Sequence, residues 1–308
     1  MQKRLVSYAL VAASAVSASI TEDVRRAAAQ NDFGLADSQL HAYKAKNGAT
    51  PEMVTAVSWL GRDALAAKQY VKAETYARET TTLVLAELKH RPLDQDAYLP
   101  LALGAAIEVQ SQAMAAQGDR VGAVEFLKHE LKTYRTTSIR TRIQKNINLL
   151  TLEGKPAPAL ELSTFLGPKP VPLSALKGKA VILFFWAHWC GDCKTEVPAL
   201  ARLKQEFGGR FVLIGPTKRY GYAAQGIETT PEAELKYIDD VRKKYYARLT
   251  DMAVPVSEET CGIYGCSTTP TLVFIDKAGI VRLYHTGEMT FEELKTELTK
   301  LLAKTAAG

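Results

Sequence analysis

"FFWAHWCGDCKTEVPAL" (184–200) sets two cysteines, Cys190 and Cys193, between an apolar run and a segment of helical spacing. The run reaches back to Ala180. "AVILFFW" (180–186) is apolar at every position, as in a central strand covered on both faces. Beyond the cysteines, Val197, Leu200, Leu203 and Phe207 recur with helical periodicity. The pair therefore stands where a buried strand passes into a helix. Two residues between the cysteines in a first helical turn let the sulfurs meet as a disulfide. The N–H groups and positive dipole end of that turn stabilise a thiolate. On this reading Cys190 is the exposed, attacking sulfur, and Cys193, one turn further in, resolves the mixed disulfide.

Two rivals share the same residues. Zinc would use Cys190, Cys193, Cys261 and Cys266, but structural zinc knuckles sit on short Gly-rich turns rather than between a core strand and an amphipathic helix. A structural disulfide seldom takes a helix-start CxxC beside a Trp. Redox exchange suits the placement best.

Outward from the cysteines the pattern alternates. "FVLIGP" (211–216) reads as a strand, and "PEAELKYIDDVRKKYY" (231–246) as an exposed helix opened by Pro231. "TLVFID" (271–276), the turn "KAG" and "IVRLYH" (280–285) predict a hairpin. A last helix is expected from Thr290, with Glu293 completing a capping box and Phe291, Leu294, Leu298 and Leu301 facing the sheet. This is an α/β plan with one mixed sheet.

Residues 22–150 differ: they are rich in helix formers and almost free of strand signals. "NDFGLADSQL" (31–40), "KQYVKAETYA" (68–77) and "GDRVGAVEFL" (118–127) each place an Ala, at 36, 73 and 123, shortly after a polar turn. The stretch 59–77 resembles a tetratricopeptide repeat, whose period is about 34 residues. The Ala intervals of 37 and 50 fit that period only loosely, so a plain helical bundle is the alternative. "LEGKPAPAL" (152–160) breaks the helical pattern, which divides the chain into 1–20, a helical-hairpin domain at 21–150 and an α/β domain at 151–308.

Lys3 and Arg4 precede sixteen uncharged residues (5–20), and Glu22 and Asp23 follow them. The segment reads as a secretory leader cleaved near Ala18, or as a short uncleaved anchor. Either places the protein outside the cytosol, in a bacterial periplasm or secreted. The balance of 39 basic to 33 acidic residues gives no dense basic block and little support for nucleic-acid binding. The densest basic stretch, "KTYRTTSIRTRIQK" (132–145), reads as the wet face of a helix.

"FFWAHWCGDC" followed by "TTPTLVF" (268–274) resembles the thioredoxin superfamily, and 152–304 is similar to its extracytoplasmic TlpA/ResA-type branch. Pro198 and Gly287 match that family's helix kink and the glycine before its final helix. The resemblance implies a thioredoxin fold with Pro270 in cis facing the cysteines, and the backbone of Thr269 pairing with an extended substrate segment. It implies protein-disulfide substrates and a thiol electron donor, membrane-bound in that branch. Organic cofactor and metal are both expected to be absent, and no FAD or NAD fingerprint is visible. A protein partner for the helical domain is a further expectation. Peroxidases of related fold use a lone Cys after a Pro/Thr-rich loop, whereas this chain carries a CxxC.

Phe184 stands where thioredoxin has a buried Asp that assists proton transfer. Glu196, matching a carboxylate of ResA-like proteins, is the candidate replacement. Its bland alternative is a solvated helix residue. Asp192 lies between the cysteines and predicts a less acidic Cys190 and a reductase-like potential. Trp189 is expected to shield the disulfide, and His188 to be a surface residue beside it. For Cys261 and Cys266 three readings stand: buried free thiols, a disulfide closing "CGIYGC", or a regulatory pair.

Overall fold

The computed structural model describes residues 19–303. The expected leader or anchor lies outside them except for its last two residues. Ser19 caps the first helix through its hydroxyl, and Ile20 opens that helix from within the core. Among the described residues no helix is long and apolar enough to cross a membrane.

Seven helices come first: α1 (Ile20–Ala29), α2 (Phe33–Asn47), α3 (Pro51–Ala66), α4 (Tyr70–Glu87), α5 (Leu99–Ala116), α6 (Arg120–Thr133) and α7 (Arg140–Thr151). The turns into α2, α4 and α6 are built alike. Asn31, Lys68 and Gly118 take positive φ, and Asp32, Gln69 and Asp119 follow as N-caps. Ala36, Ala73 and Ala123 then sit in the first turn of each helix, fully buried, where a larger side chain would part the hairpin. The longer second interval has a local cause. Residues 88–98 join α4 to α5 where only 48–50 join α2 to α3, and α4 and α5 are themselves longer.

The stretch 132–145 is not one solvated helix. α6 ends at Thr133, the chain turns, and α7 opens at Arg140. Lys145 is only 8 % exposed. It donates to Glu108 Oε2 at 2.7 Å, and Arg142 Nε donates to the same oxygen at 3.0 Å.

The remaining elements are β1 (Phe165–Leu166), β2 (Ala180–Phe185), α8 (Gly191–Thr195), α9 (Val197–Phe207), β3 (Phe211–Ile214), α10 (Pro231–Tyr245), β4 (Val254–Pro255), α11 (Glu258–Ile263), β5 (Thr271–Ile275), β6 (Val281–Thr286) and α12 (Phe291–Ala303). The main sheet runs β3-β2-β5-β6, with β2 parallel to β3 and antiparallel to β5, and β5 antiparallel to β6. β1 pairs separately with β4. Every residue of β2 is buried because both faces are covered. Ile182, Phe184 and Trp186 pack with Leu200, Leu203 and Phe207 of α9 and Leu294 and Leu298 of α12. Val181, Leu183 and Phe185 pack on the other side with Tyr264, Tyr284 and Leu160. The thioredoxin fold implied by the resemblance is the observed fold, preceded by an all-helical region. At α12 the capping box is present: Thr290 N–H donates to Glu293 Oε2 at 2.8 Å, and Glu293 N–H to Thr290 Oγ1 at 3.3 Å.

Helix α7 joins the two regions. Asn148 Nδ2 donates to Ile263 O at 3.0 Å, at the end of α11. Gly265 then turns the chain with φ +65°, and a Cβ there would lie 2.4 Å from the backbone nitrogen of Lys145. Only glycine fits that approach.

Candidate active site

Cys190 and Cys193 form a disulfide with Cα atoms 5.3 Å apart. Cys190 has extended backbone and is the N-cap of α8, its Sγ accepting the Cys193 N–H at 3.0 Å. The helix end is thus aimed at this sulfur, the arrangement that favours a thiolate in the reduced state. Across from it, the Thr269–Pro270 peptide bond is cis, and the Thr269 carbonyl oxygen is 3.5 Å from Cys190 Sγ. Pro198 has no N–H to continue the helix, so α8 ends and α9 restarts around Glu196.

One expectation is overturned. In the disulfide state Cys190 is only 2 % exposed, and Cys193 is fully buried. Capping by Cys193 N–H and contact with the Thr269 loop draw the first sulfur into the same cluster that holds Phe184 and Leu200. The surface beside it is supplied by Trp189, 49 % exposed, with Gly191 and Asp192.

Glu196 is not solvated. It is 4 % exposed, and its Oε1 accepts the Met289 N–H at 3.0 Å. Oε2 is buried without a hydrogen-bond partner. Burial is the largest influence on this carboxyl and pushes it up to about 7; the Met289 N–H opposes, and the nearby Glu288 charge adds to the rise. Glu196 is the C-cap of α8, three residues beyond Cys193, the spacing at which side chains of a helical turn share a face. Phe184 carries no acid, and it packs on Tyr246 with ring centroids 6.3 Å apart.

His188 is the residue misjudged from sequence. Instead of lying at the surface it is 1 % exposed, edge-on to Tyr220, Tyr222 and Tyr237 with centroids 5.3–5.5 Å away. Its Nε2 lies 3.4 Å from Glu234 Oε1, without a well-directed hydrogen bond. Burial holds the imidazole below its ordinary value and outweighs the Glu234 carboxylate, so the ring is neutral. Glu234 also accepts N–H bonds from Tyr220 and, at 2.9 Å, from Gly221. Tyr220 in turn touches Trp189 edge-on at 5.5 Å. This cage fixes the loop that carries Trp189. Its sequence signal was the cluster "YGY" (220–222), which periodicity does not register.

Cys261 and Cys266 are buried free thiols. Burial first, then the neighbouring Cys261 thiol, pushes Cys266 well above its ordinary value. The Cys266 N–H donates to Cys261 O at 2.9 Å across the turn that ends α11. The two pairs do not meet: among the described residues no group of three or more His, Cys, Asp or Glu is placed to hold a metal ion.

A disulfide at a helix start, facing a cis-Pro loop on this sheet, defines a thioredoxin-like thiol–disulfide oxidoreductase. Residues 154–284 match the AhpC/TSA family. The thioredoxin-like protein YneN of Bacillus subtilis is 30 % identical over 149 residues, 47 % of this chain and 78 % of that protein. The thiol-disulfide oxidoreductase ResA of Bacillus thuringiensis is 30 % identical over 148 residues, 48 % and 78 % of the two chains. The thiol:disulfide interchange protein DsbE of Xylella fastidiosa is 28 % identical over 153 residues, 49 % and 70 %. The chain belongs, through its C-terminal half, to the thioredoxin-like AhpC/TSA family.

Proposed function

We propose that the protein reduces disulfides of other proteins outside the cytoplasm, with Cys190 as nucleophile, Cys193 as resolving thiol and Glu196 as proton acceptor. The Cys190 thiolate attacks one sulfur of the substrate disulfide. A mixed disulfide forms and the other substrate sulfur leaves as a thiolate. Cys193 gives its proton to Glu196 and attacks Cys190 Sγ, which frees the second substrate thiol. Two electrons have moved, and the Cys190–Cys193 disulfide remains for a thiol donor to reduce. Thr269 and Pro270 hold the substrate backbone, and Trp189 covers the reactive sulfur until substrate displaces it.

The observation that carries this reading is the 3.5 Å contact between Cys190 Sγ and Thr269 O. A chain pairing with the Thr269 backbone has its cysteine delivered to that sulfur. A carboxyl with pKa about 7 next to the resolving thiol is matched to proton transfer near neutral pH. The extracytoplasmic setting rests on Lys3, Arg4 and the uncharged segment 5–20, and on the thiol–disulfide names of the ResA and DsbE relatives. The division at 20 and 150 goes with this reading, the tetratricopeptide-like hairpins serving as the part that meets a partner.

Reduction of insulin disulfides by the dithiol form tests it. Wild type should be active, and Cys190→Ser should lose activity altogether. A potential near −270 mV marks a reducer and one near −120 mV an oxidant, on the scale of about −270 mV for thioredoxin and about −120 mV for DsbA.

A further inference from the structure

The basic turn and helix at 132–145 lie next to the active-site loop. A cleft of about 360 Å³ opens between the helical region and the α/β region. One wall is Ser267 and Thr268, the two residues before Thr269. The facing wall comes from the start of α5 and the entry to α7, with Leu101, Ser138 and Arg142. Leu101, an apolar side chain, is 54 % exposed there. Of the lining residues three are charged: Arg142 and Lys145 converge on the single carboxylate of Glu108, while at the rim Asp94 accepts the Ser138 N–H at 3.1 Å. Their presence overcomes the effect of burial and holds Glu108 down at about 2, so it stays ionised and the cluster keeps a net positive charge. Arg142 uses Nε on Glu108 and Nη1 on Leu101 O at 3.3 Å, which leaves guanidinium donors free. The cleft is held in place, because Asn148 and the backbone of Lys145 lock α7 onto the 263–265 turn.

We propose that this cleft takes the stretch of protein substrate next to its reactive cysteine and selects an acidic side chain in it. The inference rests on the proposed disulfide exchange and adds where the rest of the substrate goes. An extended chain paired with Thr269 advances about 3.3 Å per residue. Its next residues pass Thr268 and Ser267 and meet the helical wall. There a carboxylate finds Arg142 while an apolar neighbour covers Leu101. The helical region thereby contributes to the substrate site itself.

Two disulfide-bonded peptides, identical except for Glu or Lys on both sides of the cysteine, test this with the full-length dithiol protein. Wild type should reduce the Glu peptide with a kcat/KM about fivefold higher at low salt, a preference that added salt should shrink. Arg142→Gln should abolish the preference and Arg142→Glu should reverse it. The wild-type comparison stands without any variant, so a folding defect in either one leaves the test intact. Equal rates on the two peptides, or a preference unchanged by Arg142→Gln, overturn the inference while leaving the exchange reaction standing. Failure to reduce either peptide overturns the exchange reading, and this inference with it.

Discussion

Met289 N–H donates to one oxygen of Glu196 at 3.0 Å, while the other oxygen of that buried carboxyl has no partner. A single hydrogen bond does not offset the burial, and the group titrates near 7 instead of 4.5. As a base it must be ionised, so the resolving step should quicken as pH rises through 7. Glu196→Gln should remove that inflection and slow the reaction on the order of a hundredfold. Stopped-flow rates from pH 5.5 to 8.5 check both points.

The same carboxyl predicts the opposite trend for stability. Its native pKa lies above its unfolded value, so between the two the native state holds a proton the unfolded chain has released. Its contribution is complete below about pH 4.5 and is lost as pH rises through about 7. Denaturant midpoints of wild type relative to Glu196→Gln should therefore fall from pH 5 to pH 8. A difference that does not change with pH contradicts the assignment.

Trp189 is half exposed beside a sulfur that is itself buried. Removing the indole in Trp189→Ala should open that sulfur to small thiols, and reduction of the disulfide by dithiothreitol should quicken about tenfold, equivalent to about 1.4 kcal/mol of barrier. Unchanged kinetics would mean that the Thr269 loop alone controls access.

Glu234 satisfies the N–H groups of Tyr220 and Gly221 inside the tyrosine cage. Glu234→Ala strands both donors and should destabilise the protein by about 2–4 kcal/mol in urea titrations, with a smaller loss for Glu234→Gln, which keeps one acceptor.

Cys261 and Cys266 should resist iodoacetamide in the native protein and each gain one adduct after denaturation, read by intact mass. Both sulfurs are buried away from the reagent, and at Cys266 burial also disfavours the thiolate that reacts. Native labelling, or a peptide linking the two, contradicts the buried-dithiol assignment.

The strand before the cysteines, the helix after them and the final hairpin and capping box could all be read from sequence, because each is a local pattern. What could not be read there depends on distant residues. His188 is enclosed by side chains from 220 to 237, and Glu196 is covered by the turn at Met289. Cys190 is covered by Thr269, 79 positions away. The basic stretch at 132–145 looked solvated because Glu108, its partner, lies on another helix. None of these pairings leaves a periodic trace.

The most direct measurement is the site of the mixed disulfide trapped by Cys193→Ala with a disulfide-bonded protein substrate. Peptide mass mapping should place the adduct on Cys190 alone. An adduct on Cys261 or Cys266, or none at all while wild type turns the same substrate over, would contradict Cys190 as the attacking sulfur.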